Sequence, residues 1–122
     1  MAETRIVVVE DNAAIAHLIQ EVLDEVPGYR TVRAETGAQA LRTIPAQHPN
    51  LVILDVDLPD IDGFTVYDQL HRCPDTATIP CLMMSATQHN DALRQRGITD
   101  FLAKPFDLDD LLAHVANLVH IA

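Results

Sequence analysis

The sequence has no tryptophan, two cysteines, a single lysine, and no apolar run approaching the length of a membrane span. Each shortage excludes something. About 20 consecutive apolar residues are needed to cross a bilayer as a helix, so no transmembrane segment is expected. The opening MAETRIVVVED has no basic stretch ahead of a long apolar segment, which argues against a secretory signal and for a cytoplasmic protein. Cys73 and Cys81 match neither a zinc pattern nor a disulfide framework and read as free thiols in a reducing compartment. Bases are scarce as well: eight face 18 acids, for a formal charge of −10. Such a balance repels phosphate backbones and anionic lipid, so neither direct nucleic-acid binding nor membrane association is expected. Seven of the eight bases are arginines, and the lone lysine is Lys104.

What the chain does have is alternation. RIVVV (5–9) is a β-branched run ending in Glu10 and Asp11. Asn12 then caps a helix whose Ile15, Leu18, Ile19, Val22, Leu23 and Val26 share one face, stopped by Pro27 and Gly28. A second strand, Tyr29 to Ala34, precedes a helix from about Gly37 to Gln47, with Thr36 and Gln39 at capping-box spacing. Leu51 to Asp55, Ile79 to Met84 and Asp100 to Ala103 read as three further strands. Helices begin at Gly63, near Asn90 and after Asp107. With 122 residues this makes one domain, its core spanning about residues 4–120. The runs VVV, LVIL and CLMM lack period-two gaps, as strands covered on both faces should. Five strands alternating with five helices predict an α/β fold with a parallel sheet and right-handed crossovers.

Parallel strands share one carboxyl edge, and ligands bind there. The third strand runs into Asp55, Asp57, Asp60 and Asp62, and the same edge would gather Glu10, Asp11, Ser85 and Lys104. Carboxylates that close repel one another, and a hard dication such as Mg²⁺, with Mn²⁺ as the alternative, is the usual remedy. Lys104 and the Ser85 hydroxyl add donors for the oxygens of a phosphoryl group, whose transfer needs alignment and charge neutralisation. Asp60 and Asp62 read as turn residues with side chains in water. The six histidines (17, 48, 71, 89, 114, 120) show no metal spacing and read as scattered surface residues.

The acid pair Glu10 and Asp11, Asp55 in D-V-D-L-P-D-I-D-G, Ser85 followed by Ala86, and Lys104 in D-F-L-A-K-P-F occur in an order that resembles the receiver domains of two-component response regulators. The resemblance runs from about Thr4 to His120. It implies a flavodoxin-like (βα)5 sandwich with strand order 2-1-3-4-5. Asp55 would accept a phosphoryl group from the phosphohistidine of a sensor histidine kinase or phosphotransfer protein. Mg²⁺ would be held by Glu10, Asp11, Asp55 and the backbone carbonyl of Asp57. The resemblance further assigns Ser85, the Ala86 backbone and Lys104 to the phosphoryl group, Ser85 and Phe101 to the switch, and a cis bond to Lys104–Pro105. Such a protein catalyses only its own phosphorylation and dephosphorylation and signals to a protein output the sequence does not identify, either alone or as the receiver portion of a longer chain.

Two features depart from the pattern. Ser85 and Lys104 lie about one helical turn closer in sequence than receivers usually show, which predicts a shortened fourth helix and puts the usual dimer face in doubt. Asp57, two residues after the acceptor, could sit near the attacking water and tune the life of the acyl phosphate. D-V-D also suits a haloacid dehalogenase-like phosphatase using Asp55 and Asp57, although there D-x-D follows the first strand. A binding module independent of phosphorylation is the third reading.

Overall fold

The three most apolar runs become the three central strands. A computed structural model of the chain describes residues 3–121. The elements run β1 (Thr4–Val9), α1 (Ala13–Asp24), β2 (Tyr29–Ala34), α2 (Gly37–Gln47) and β3 (Leu51–Asp55). They continue through α3 (Gly63–Arg72), β4 (Cys81–Ser85), α4 (Asn90–Gln95), β5 (Phe101–Ala103) and α5 (Leu108–Ile121). All pairings are parallel and the sheet order is β2-β1-β3-β4-β5. This is the flavodoxin-like order.

Alternate residues of each central strand serve opposite faces. Val7, Val9, Val52, Leu54 and Met83 pack with Ala40 and Ile44 of α2, Val66 and Leu70 of α3, and Leu93 of α4. Ile6, Val8, Leu51, Ile53, Leu82 and Met84 pack with Ile19 and Leu23 of α1 and Leu111 and Val115 of α5. The sheet is thus covered on both sides, which is why its strands show no polar alternation.

Several expectations shift by a residue or a face. β4 starts at Cys81, not Ile79, because Pro80 has no N–H to give the ladder; its carbonyl accepts from Val52 N at 3.0 Å. β5 begins at Phe101 instead of Asp100. α1 ends at Asp24, short of Val26. Leu18 is 48% exposed, against its expected burial. The buried stripe of α1 is centred on Ala16, Ile19 and Leu23, and at about 100° per residue Leu18 falls on its flank. The fourth helix is indeed short, six residues after a 3-10 turn at Thr87–His89.

Asp60 and Asp62 do more than face water. The Asp60 carboxylate accepts from Gly37 N at 2.8 Å and Ala38 N at 2.9 Å, satisfying two otherwise unpaired donors of α2 across 23 positions of sequence. The N–H groups of Ala38, Ile61 and Gly37 hold its pKa below the ordinary value. Asp62 caps α3 by accepting from Thr65 N at 2.9 Å. The expected capping box forms with one change. Thr36 Oγ1 accepts from Gln39 N at 3.0 Å, and Gln39 Oε1 accepts from Glu35 N at 2.6 Å, one residue earlier than the motif prescribes. Asn12 caps α1 as expected, accepting from Ile15 N at 3.1 Å.

Between β3 and α3 the chain doubles back on itself, with Gly63 N donating to Val56 O at 2.8 Å. A Cβ on Gly63 would meet the Asp55 carbonyl oxygen and lie 2.7 Å from Val56 Cα, contacts with backbone that no rotamer can relieve. Gly63→Ala is therefore expected to lower stability by about 2–3 kcal/mol, read as a lower urea midpoint at unchanged slope.

Candidate functional site

Strand direction and register bring the acids together. The ladder of β1 ends at Val9, opposite Leu54 on β3, so Glu10 and Asp55 leave neighbouring strand ends side by side. Oxygens of Glu10, Asp11 and Asp55 lie within 4.8 Å of one another. Asp55 and Glu10 are each 1% exposed, whereas Asp11 opens to solvent. From 49 positions downstream of Asp55, Lys104 places Nζ 2.8 Å from Asp55 Oδ2 and 3.3 Å from Glu10 Oε1. One ammonium thus answers two buried carboxylates. Asp55 Oδ1 accepts from Asp57 N at 3.0 Å, and Glu10 Oε2 from Asn12 N at 3.1 Å.

The electrostatic consequences follow from burial. Burial raises the Glu10 pKa from 4.5 to about 7; the Asn12 N–H opposes this, the Asp55 charge adds to it, and the Lys104 charge opposes it. Burial alone would push the Lys104 pKa down, but its bonds to Asp55 and the nearby Glu10 charge outweigh that and leave it raised. Lys104 therefore remains an ammonium. Ser85 Oγ is fully buried and has no hydrogen-bond partner among the described residues. A hydroxyl left so is costly unless a further group completes it.

The donor set fits a small, hard dication. It consists of carboxylate oxygens, with no thiol or imidazole, and one cation does not balance three acids. Cys81 takes no part: burial pushes its thiol up to about 12, and Cys73 is an exposed free thiol. Ala86 follows Ser85 at the same rim, and the Lys104–Pro105 peptide is cis. Phe101 is half-buried, paired in register with Met83 and packed on the face covered by α2, α3 and α4.

Asp57 N donates to Asp55, but its side chain points to a different partner. Its carboxylate lies outside the cluster of acids, and its Oδ1 is 3.1 Å from His89 Nε2. His89 is consequently not a scattered surface histidine: it bridges to Asp57 and stands edge-on to Phe64, with ring centroids 6.0 Å apart. Sequence spacing could not reveal this pair, 32 positions apart and on different loops. Sequence reading also missed Arg33, whose guanidinium donates to the carbonyls of Glu10 and Asp11. An arginine near the end of a strand signals only an exposed base.

Comparison with known proteins agrees with the geometry. Residues 6–116 match the family model described as the response regulator receiver domain. The chain is 38% identical over 118 residues to the DNA-binding dual master transcriptional regulator RpaA of Synechocystis, covering 94% of this chain and 48% of that protein. It spans about half the length of the curated relatives it matches. The signal receiver domain of a signal transduction histidine kinase from Syntrophus aciditrophicus superposes with a TM-score of 0.88 at 31% identity, over 98% of this chain and 92% of that one. The receiver domain of sensor histidine kinase PA1611 from Pseudomonas aeruginosa has a magnesium ion coordinated in the active site cleft. It superposes with a TM-score of 0.87 at 26% identity, over 98% and 99% of the two chains.

A carboxyl whose pKa is higher folded than unfolded stabilises the fold in its protonated form. The Glu10 contribution is complete below 4.5 and is lost as pH rises through about 7. In metal-free buffer, Glu10→Gln should match wild type near pH 4.5 and exceed it at pH 8 by on the order of 3 kcal/mol. Urea denaturation at the two pH values checks this, and equal stability at both would contradict it.

Proposed function

The chain belongs to the response regulator receiver domain family of two-component signalling, and on that premise we propose that Asp55 is its phosphoacceptor and that residues 1–122 act as a single receiver domain. The observation that carries this is the Asp55 carboxylate, buried at the end of β3 with Lys104 Nζ at 2.8 Å, beside a strand, β4, that ends in Ser85, whose buried hydroxyl has no partner among the described residues. A carboxylate oxygen of Asp55 bonds to phosphorus as the N–P bond of the donor's phosphohistidine breaks, its electron pair remaining on the imidazole nitrogen. The donor is a sensor histidine kinase or a phosphotransfer protein. Release is the attack of water on phosphorus, with cleavage of the bond to Asp55 and departure of inorganic phosphate. The protein thus catalyses only its own modification and its reversal.

Bound Mg²⁺, or Mn²⁺ with the same oxygen donors, supplies positive charge against the phosphoryl oxygens. Glu10, Asp11, Asp55 and the Asp57 carbonyl are the groups that would hold it. Lys104 exchanges its bond to the free carboxylate for one to a phosphoryl oxygen, and Ser85 Oγ together with the Ala86 N–H completes the set. Drawing Ser85 toward the phosphoryl group gives the switch its direction, and Phe101, on the adjacent strand, is the side chain that follows. The outer face can be biased only by the difference in pocket contacts between the two states of Asp55.

An apolar depression lined by Ile15, Leu18, Pro105 and Phe106 borders Lys104, offering a donor protein a surface beside the reacting group. The output is a protein partner or a further segment of the same polypeptide; the acidic charge disfavours direct contact with nucleic acid. Among the described residues no helix is long and apolar enough to cross a membrane, in keeping with a cytoplasmic role. The phosphatase reading loses support because the Asp57 carboxylate that would serve as general acid is engaged with His89.

Incubation with acetyl phosphate and Mg²⁺, read by intact mass, should add one phosphoryl group to wild type. None should be added to Asp55→Asn, or to wild type in excess EDTA. The adduct should be labile to hydroxylamine, as an acyl phosphate is. Asp57→Asn, whose amide oxygen can still accept from His89, should leave the lifetime of that adduct near the wild-type value; a large change would give the Asp57 carboxylate a part in hydrolysis.

A further inference from the structure

Among the described residues, the two carbonyls that follow β1 have neither a sheet nor a helix to bond to. The ladder closes with Glu10 N donating to Ala34 O at 3.1 Å, and the first helical bond of α1 runs from Ala16 N to Asn12 O at 2.9 Å. The carbonyls of Glu10 and Asp11 fall in between. Both are taken by one side chain: Arg33 Nε donates to Glu10 O at 3.1 Å, and Nη2 donates to Asp11 O at 3.0 Å. Arg33 stands on β2 opposite Val8, one position before the strand ends, so its stem reaches past the last ladder pair to the loop. The side chain is 17% exposed, and Nη1 lies 3.5 Å from Glu35 Oε1, which offsets its charge.

We propose that Arg33 is a positioning residue for the metal-binding acids: its guanidinium fork fixes the backbone from which the Glu10 and Asp11 carboxylates project. The inference rests on the Mg²⁺ reading of the site. Asp11 gives the strongest reason. Glu10 has its own anchors in Asn12 N and Lys104 Nζ, but among the described residues the exposed Asp11 carboxylate makes no hydrogen bond. Where that carboxylate sits is decided by its backbone, and Arg33 holds the backbone. Order supplied in advance need not be supplied at binding, and outer partners of this kind commonly change metal affinity by tenfold or more.

The sign of the effect separates this role from a simple charge effect. A cation near a dication repels it, so if Arg33 acted only through charge, neutralising it would tighten Mg²⁺ binding. If it acts by holding the loop, neutralising it loosens binding. Lysine keeps the charge but has no fork to span two carbonyls.

The experiment is calorimetric titration of Mg²⁺ into the unphosphorylated protein, with amide exchange of residues 10–12 measured in EDTA. Arg33→Met should weaken Mg²⁺ binding roughly tenfold, Arg33→Lys should also weaken it, and exchange at residues 10–12 should quicken in both. Should Arg33→Met fail to fold, Arg33→Lys alone carries the comparison. A variant with lower thermal stability but unchanged Mg²⁺ affinity would overturn the inference, as would tighter binding by Arg33→Met. If wild type bound no Mg²⁺, the metal reading itself would fall, and the inference with it.

Discussion

A lysine ammonium held between two carboxylates that are almost wholly out of water is the interaction on which the rest depends. Burying Glu10 and Asp55 at adjacent strand ends is unfavourable for both. Lys104, 94 positions from the first and 49 from the second, offsets part of that cost through contacts of 3.3 and 2.8 Å. It offsets only part. The Glu10 pKa remains near 7, and Asp11 adds a third negative group. Ser85 contributes a buried hydroxyl that has no partner among the described residues. The cleft is therefore an unfinished electrostatic arrangement, and what would complete it is a dication together with the oxygens of a phosphoryl group.

The frame around the cleft is built to keep it open and fixed. Parallel strands carry all five side chains to one edge, and the close packing of Gly63 on the Asp55 carbonyl sets the turn that follows Asp55. Asp60, tied to the start of α2, pins the far end of that turn, and Arg33 ties down the loop bearing the acid pair. On the opposite rim, the 3-10 turn after Ser85 is linked to the Asp57 loop through His89, and Arg96 stacks 4.4 Å over the Phe64 ring that His89 touches. These contacts join the segments on either side of the place where a phosphoryl group would sit.

Much of this was legible in the sequence, for a physical reason. Strands buried on both faces must be continuously apolar, so VVV, LVIL and CLMM marked the central strands, and parallel direction alone then brought Glu10, Asp11, Asp55, Ser85 and Lys104 to one edge. The short fourth helix followed from setting the Ser85–Lys104 spacing against that of the family the sequence resembles. What stayed hidden depends on side-chain reach between loops. Nothing in the spacing says that Asp60 turns toward α2, that Asp57 meets His89, or that Arg33 grasps two carbonyls. Leu18 shows the limit of periodicity: it lay within the apolar face of α1, but the packed stripe is narrower and leaves it out.

Asp55 is the proposed point of attachment, with Lys104 and Ser85 completing the phosphoryl shell. A crystal structure of the protein with Mg²⁺ and beryllium trifluoride, which mimics an acyl phosphate, tests that most directly. It should show beryllium bonded to an Asp55 carboxylate oxygen, with Lys104 Nζ and Ser85 Oγ on its fluorines and the metal among Glu10, Asp11 and Asp55. Beryllium attached to another residue, or to Asp55 with Lys104 and Ser85 both turned away, would contradict it.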